Sequence, residues 1–353
     1  MNAMPQTINA SNRRLAYLDI AKGVAIVSIV LLHFATGFIP PYVNVFISSY
    51  MISMFYVTSG WVNAMQTQQP FKVFLRKRWH QLGVPYIAWT LIILAFDLIL
   101  WIFGYYDTYF IAREVYKSVV LRGIGTLWFL PALFGAEILW WWTRDCYPRV
   151  RCVIVTVAVA LFIWYYQTLL GPRDTLAMSI KEAPFRVIYS IATAWLGIAA
   201  GFCFHRYVLR WIQLCHKMAV SVIGLLIVAA GWYCALWPPV PLYWSFGAPL
   251  LEPIGLILII MSVETSPIWR YFHYWGRNSM ALMVTHFSIL IVLCDVAVRL
   301  ICGHPMKGGW IAFSLFCVTM IAEYFIAEWL SRRYPKILGI RRDKTNSLQD
   351  KTV

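Results

Sequence analysis

Residues 16–38 read AYLDIAKGVAIVSIVLLHFATGF, an apolar run carrying three ionisable side chains, Asp19, Lys22 and His33. A membrane helix needs about 20 predominantly apolar residues, so this run predicts one. It is not a cleaved signal peptide, because Asp19 and Lys22 sit inside it and further apolar runs follow. At 100° per residue, the eleven steps from Lys22 to His33 return within about 20° of superposition. Asp19, three residues before Lys22, joins the same stripe and can pair with it. Eleven residues span about 16 Å of helix axis, so one face carries Asp, Lys and His from one membrane boundary well toward the other.

The rest of the chain agrees with a membrane setting. Of 353 residues, 61% are hydrophobic and 13% charged, against about a quarter charged in ordinary soluble domains. That balance, with 59 Trp, Tyr and Phe together, excludes a soluble globular domain, a disordered chain and a collagen-like repeat. The eight cysteines include no CxxC pair and fall mostly in apolar runs; we expect neither a disulfide framework nor a metal site. No internal repeat or low-complexity segment is evident.

Ten candidate spans emerge, at about 16–38, 42–62, 82–104, 126–143, 152–170, 185–204, 218–236, 247–263, 280–300 and 308–330. With the N-terminus in the cytoplasm, 21 of the 30 Lys and Arg fall on the inner side, 6 on the outer side and 3 within spans. This positive-inside bias predicts an all-α bundle of about ten transmembrane helices with both termini cytoplasmic. The net charge of +15 is thereby spread over separate loops rather than one basic element, which argues against nucleic acid. Residues 1–12 and 335–353 are expected to be disordered tails around one membrane domain at 13–334. The outward loop 105–125 has the rhythm of an interfacial helix, and Trp237-Pro238-Pro239-Val240-Pro241 reads as a stiff turn.

An ionisable group in a membrane helix costs several kcal/mol unless a partner or a wet cavity receives it. Lys22 and Asp19 could snorkel to the interface with His33 simply packed. Alternatively, His33 is a general base taking a proton from an attacking hydroxyl, since its ordinary pKa lies near neutrality. Asp97, Glu137, Glu252, Asp295, Glu323 and Glu328 also lie in apolar runs and are read first as structural, Asp295 pairing with Arg299 four residues on. His286 is the other imidazole inside a span and could line a cavity opposite His33. Arg76-Lys77-Arg78-Trp79-His80 reads either as topology and anionic-lipid contact or as a clamp for a nucleotide's phosphates, with Arg277 on the same side.

These motifs together resemble the acyltransferase 3 family, membrane enzymes that acylate envelope glycans and related components using cytosolic acyl-CoA. The matching stretches are Arg14 to Gly23, the Lys22–His33 spacing, Phe55-Tyr56-Val57-Thr58-Ser59-Gly60, Val84-Pro85-Tyr86, Leu127-Trp128-Phe129-Leu130-Pro131, and Gly276-Arg277-Asn278-Ser279 leading to His286. The family's Arg-x-x-Arg pair is replaced by Arg78 and Gln81, leaving the second basic contact to Arg76 or Lys77. Similarity to the sugar O-acetylase branch favours acetyl-CoA as donor and a glycan or lipid-linked sugar as acceptor, in a bacterial inner membrane. The resemblance implies catalysis by His33, as base or transient acyl carrier, with Lys22 and Asp19. Arg76, Lys77, Arg78 and Arg277 would hold the donor, and Glu137, Ser279 and His286 would meet the acceptor. The rival reading is a secondary transporter coupling ions through Asp19, Lys22 and Glu137, although the sequence shows none of the repeats or interrupted helices that carriers often have.

Overall fold

The computed structural model describes residues 15–34, 39–144, 149–170, 182–236, 247–263, 266–303 and 309–340. Regular structure among them is entirely helical. The helices are α1 (Ala16–Phe34), α2 (Pro41–Tyr50), α3 (Ser53–Met65), α4 (Phe71–Arg78), α5 (Val84–Ile102), α6 (Thr108–Val119), α7 (Phe129–Thr143) and α8 (Arg149–Leu170). They continue with α9 (Ala183–Cys203), α10 (Lys217–Leu236), α11 (Ala248–Val263), α12 (Trp269–Arg277), α13 (Ser279–Thr285), α14 (Val292–Cys302) and α15 (Gly309–Arg333).

Among the described residues, seven helical stretches are long and apolar enough to cross a membrane: Ala16–Phe34, Pro41–Met65, Phe71–Ile102, Ala183–Ile212, Lys217–Leu236, Ser279–Ile301 and Gly309–Arg333. The expected count was about ten. The helices in 126–143 and 247–263 are shorter, at 15 and 16 residues, whereas 152–170 lies within the 22-residue α8. The Pro-rich 237–241 segment and the tail at 1–12 lie outside the described residues. The folded chain runs past the expected boundary at 334. A 3-10 turn, Pro335–Leu338, buries Leu338, and the Trp89 indole donates to the Ile337 carbonyl at 3.1 Å.

Three local features position the site. First, α1 and α12 cross with their backbones in contact: a Cβ at Gly23 would strike the Phe272 carbonyl, and one at Gly276 the Asp19 carbonyl. Only glycine permits so close an approach between membrane helices. Second, the basic run 76–80 is helical rather than a loop. The π-helical turn Trp79–Gly83 joins α4 to α5 and accommodates Pro85, which lacks an N–H, at the start of α5.

Third, the chain between α5 and α7 is helical over α6, as its sequence rhythm predicts. α6 folds back along α5, far enough for the Tyr86 hydroxyl to donate to the Ser118 carbonyl at 2.8 Å. Its Glu114 is buried because Arg113 and Lys117 approach it at 2.7 and 2.8 Å, which neutralises a carboxylate that would otherwise need water. After α6 the helix breaks: Leu121, Gly123 and Gly125 all have positive φ, and a 3-10 turn at Gly125–Trp128 leads into α7. Non-helical backbone at membrane depth is tolerated only against protein or a wet cavity. At the other end of α6, Tyr105 donates to Asp295 at 2.6 Å, and burial with that carboxylate pushes the tyrosine up to about 12. Asp295 also meets Arg299 at 2.7 Å, the pairing that the sequence spacing predicts.

Candidate functional site

The break before α7 borders a cavity of about 160 Å³, whose walls include Ile26, Ile29 and His33 of α1, Phe55 of α3, Phe129 of α7 and Phe287. The α2–α3 kink at Met51 and Ile52 completes one side, and Gly125, Thr126 and Trp128 another. Thr126 is occupied, its hydroxyl donating to the Met283 carbonyl at 2.6 Å. His33 is therefore the titratable side chain facing this cavity among the described residues.

The His33 Nδ1 lies 2.7 Å from the Ile29 carbonyl. A carbonyl only accepts, so Nδ1 carries a proton, and in the neutral ring Nε2 keeps its lone pair. His286 repeats the arrangement: its Nδ1 donates to the Leu282 carbonyl at 2.6 Å, and its buried Nε2 has no partner among the described residues. The two rings stand 5.2 Å apart between centroids, with Phe287 4.6 Å from His33. His286 begins a π-helical turn, His286–Ile291, a distortion that often marks functional sites. Behind it, buried Glu323 of α15 holds the Thr285 hydroxyl at 2.7 Å.

A second polar cluster lies along the seam of α3 and α7. Buried Glu137 receives Arg78 Nη2 at 3.1 Å, Asn63 Nδ2 at 3.1 Å and the Ser59 hydroxyl. Arg78 also donates to Gln81 at 3.1 Å, the residue standing where the family pattern has its second arginine. Beyond the cluster, a polar cleft is lined by Asn63, Gln66, Gln68, Lys77, Arg78 and Arg144. Phe55 and Phe129, on the same two helices, stand in contact at the histidine cavity. From Phe129 to Trp141 at the cleft is about 18 Å of helix, so one seam joins the two sites.

The expected site residues thus fall into separate groups. His33 and His286 come together. Lys22 pairs with Asp19 at 2.7 Å, with His273 of α12 at 4.0 Å from the same carboxylate, but neither Lys22 nor Asp19 lines the cavity. Lys77 and Arg78 reach the polar cleft, whereas Arg76 and Arg277 are exposed and do not line it. Of the residues expected to meet an acceptor, Glu137 is committed to Arg78, and Ser279 opens α13 about 10 Å before His286. Neither borders the cavity. The sequence reading gives no site role to Ser59, Asn63 or Arg144 and does not join Glu323 to Thr285. The spacing of Ser59, Asn63 and Gln66 places them on one helix face and is a usable signal.

A family model described as an acyltransferase domain matches residues 15–328. No curated protein matches the chain, and no solved structure does.

Proposed function

Because the chain belongs to the acyltransferase 3 family, we propose that this multi-pass membrane acyltransferase moves an acyl group, acetyl by preference, from acyl-CoA to a hydroxyl of an envelope glycan. In this reading the end bearing α4 faces the cytosol of a bacterial inner membrane. The donor's phosphates sit at the basic cleft, and its thioester arm follows the α3–α7 seam to the histidine cavity. The acceptor reaches the same cavity through the break before α7.

The observation that carries the reading is the state of His33: Nδ1 is fixed on the Ile29 carbonyl, and the ring lines the cavity. Nε2 takes the acceptor's hydroxyl proton as the oxygen attacks the thioester carbonyl; the carbon–sulfur bond breaks, and the leaving thiolate takes that proton back. The same nitrogen would accept the acyl group if transfer ran in two steps. Apolar walls exclude water that would otherwise hydrolyse the thioester. Lys22 and Asp19 act at a distance from this chemistry, as a pair locked beside the α1–α12 crossing.

The test is release of free CoA from acetyl-CoA by the purified protein in nanodiscs, with and without envelope-glycan extracts. Release that depends on the extract supports the proposal; absence of both CoA binding and release overturns it. The interrupted path from α6 to α7 is a feature shared with carriers, and solute counterflow in proteoliposomes without acyl transfer would support that reading instead.

A further inference from the structure

We propose that Arg144, with Lys77 across the cleft and the Gln66–Gln69 turn between them, is the phosphate- and nucleotide-reading mouth of the donor path. The inference rests on the donor being an acyl-CoA, and it replaces Arg76 and Arg277 with a residue 66 positions beyond Arg78 in the sequence. The reasoning starts from charge. Arg78, the strongest sequence candidate, is already matched by Glu137 at 3.1 Å and by Gln81 and Asn63. An arginine held by a buried carboxylate has little charge left for a phosphate.

Arg144 is placed differently. It sits just beyond the last turn of α7 and borders the same cleft as Lys77 and Arg78. One guanidinium nitrogen donates to the Gln66 carbonyl at 2.9 Å, and the group lies 5.4 Å from the centre of the Phe202 ring. These contacts orient the fork while using one of its five N–H donors, and among the described residues it meets no carboxylate. A guanidinium so presented suits bidentate binding of phosphate.

The turn it holds is equally specific. Gln66, Thr67, Gln68 and Gln69 form four consecutive polar side chains on the cleft wall, fastened at both ends by Arg144 on the Gln66 carbonyl and by the Trp141 indole on the Gln69 carbonyl at 3.0 Å. Fixing the backbone leaves the amide side chains to pair with a base edge. Below the turn, Asn63 and Ser59 lead down the α3 face to Glu137 and the cavity. A ligand with phosphates at the mouth and a narrow arm pointing inward fits this order.

The experiment measures binding of CoA, dephospho-CoA and pantetheine to the full-length protein in nanodiscs of neutral lipid, for wild type, Arg144→Gln, Arg144→Lys and Lys77→Gln. Wild type should bind CoA, and Arg144→Gln should weaken it about tenfold or more, the worth of a charge-assisted hydrogen bond. Pantetheine, which has no phosphate, should bind all four proteins alike. Arg144→Lys, which keeps the charge and loses the fork, should fall between. Equal pantetheine binding also shows that Arg144→Gln is folded. Unchanged CoA affinity in Arg144→Gln overturns the assignment while leaving the acyl-CoA reading intact. Failure of wild type to bind CoA overturns that underlying reading instead. Repeating the series with anionic lipid separates the sources of phosphate: if the substitutions alter only lipid retention and not CoA affinity, the cleft is a headgroup site and the assignment fails.

Discussion

The imidazoles of His33 and His286 stand 5.2 Å apart, each donating its Nδ1 proton to the carbonyl four residues earlier on its own helix. Of the two, His33 lines the cavity and His286 is buried behind it. When His33 takes a proton, the His286 imidazole is the ring beside it. We expect His286→Phe, which fills the volume but removes the nitrogen, to lower acyl transfer about tenfold or more while the protein stays folded. Comparing turnover with the thermal midpoint of the same preparation checks this; an unaltered rate would make His286 a packing residue only.

The Arg78–Glu137 pair leads to a stability prediction. Glu137 is fully buried, and its removal strands a cation inside the protein. Glu137→Ala should destabilise by about 3 kcal/mol or more, and Arg78→Met in the same chain should recover most of the loss. Thermal unfolding of the two single variants and the double variant measures the coupling. Additive losses would mean that the pair is not formed in the membrane.

At the α1–α12 crossing the carbonyls of Phe272 and Asp19 occupy the space a methyl group would need at Gly23 and Gly276. Either glycine to alanine should cost more than about 2 kcal/mol through overpacking against backbone and reduce the monodisperse fraction on size-exclusion chromatography. Gly303, with φ of 72° and open space around its Cβ position, is the control; Gly303→Asn should be tolerated, since asparagine accepts this backbone region.

Gly125 tests the broken helix. Its φ is 51°, and an added Cβ would press on the Ser288 hydroxyl and the Phe287 ring at the cavity wall. Gly125→Ala should cost about 1–2 kcal/mol from the left-handed backbone alone and lower transfer by a larger factor than stability explains. Ser288→Ala in the same chain should restore part of the activity. Activity that simply tracks stability would separate the break from the chemistry.

The sequence discloses α1 well because Asp19, Lys22 and His33 lie on one helix, where spacing alone fixes their face. It discloses the helical class for the same reason: span length and hydropathy are local properties. The Arg78–Glu137 pair is not local. Its members lie 59 positions apart on different helices, and no periodicity joins them. The helical rhythm of 105–125 discloses α6, but Arg113, Glu114 and Lys117 look water-facing until they are seen to satisfy one another. The break after α6 does leave a trace in Gly123 and Gly125, but glycines in a loop predict a turn, not its depth. The Ile337 carbonyl binds Trp89 across 248 positions, so the order of residues 335–340 is invisible to composition.

The most direct test of the account is acceptor-dependent CoA release by wild type and His33→Ala, measured on the same nanodisc preparations used for CoA binding. The proposed base predicts a fall of about a hundredfold or more, with CoA affinity and thermal midpoint unchanged. Release by His33→Ala at the wild-type rate would contradict it and move the chemistry away from this histidine.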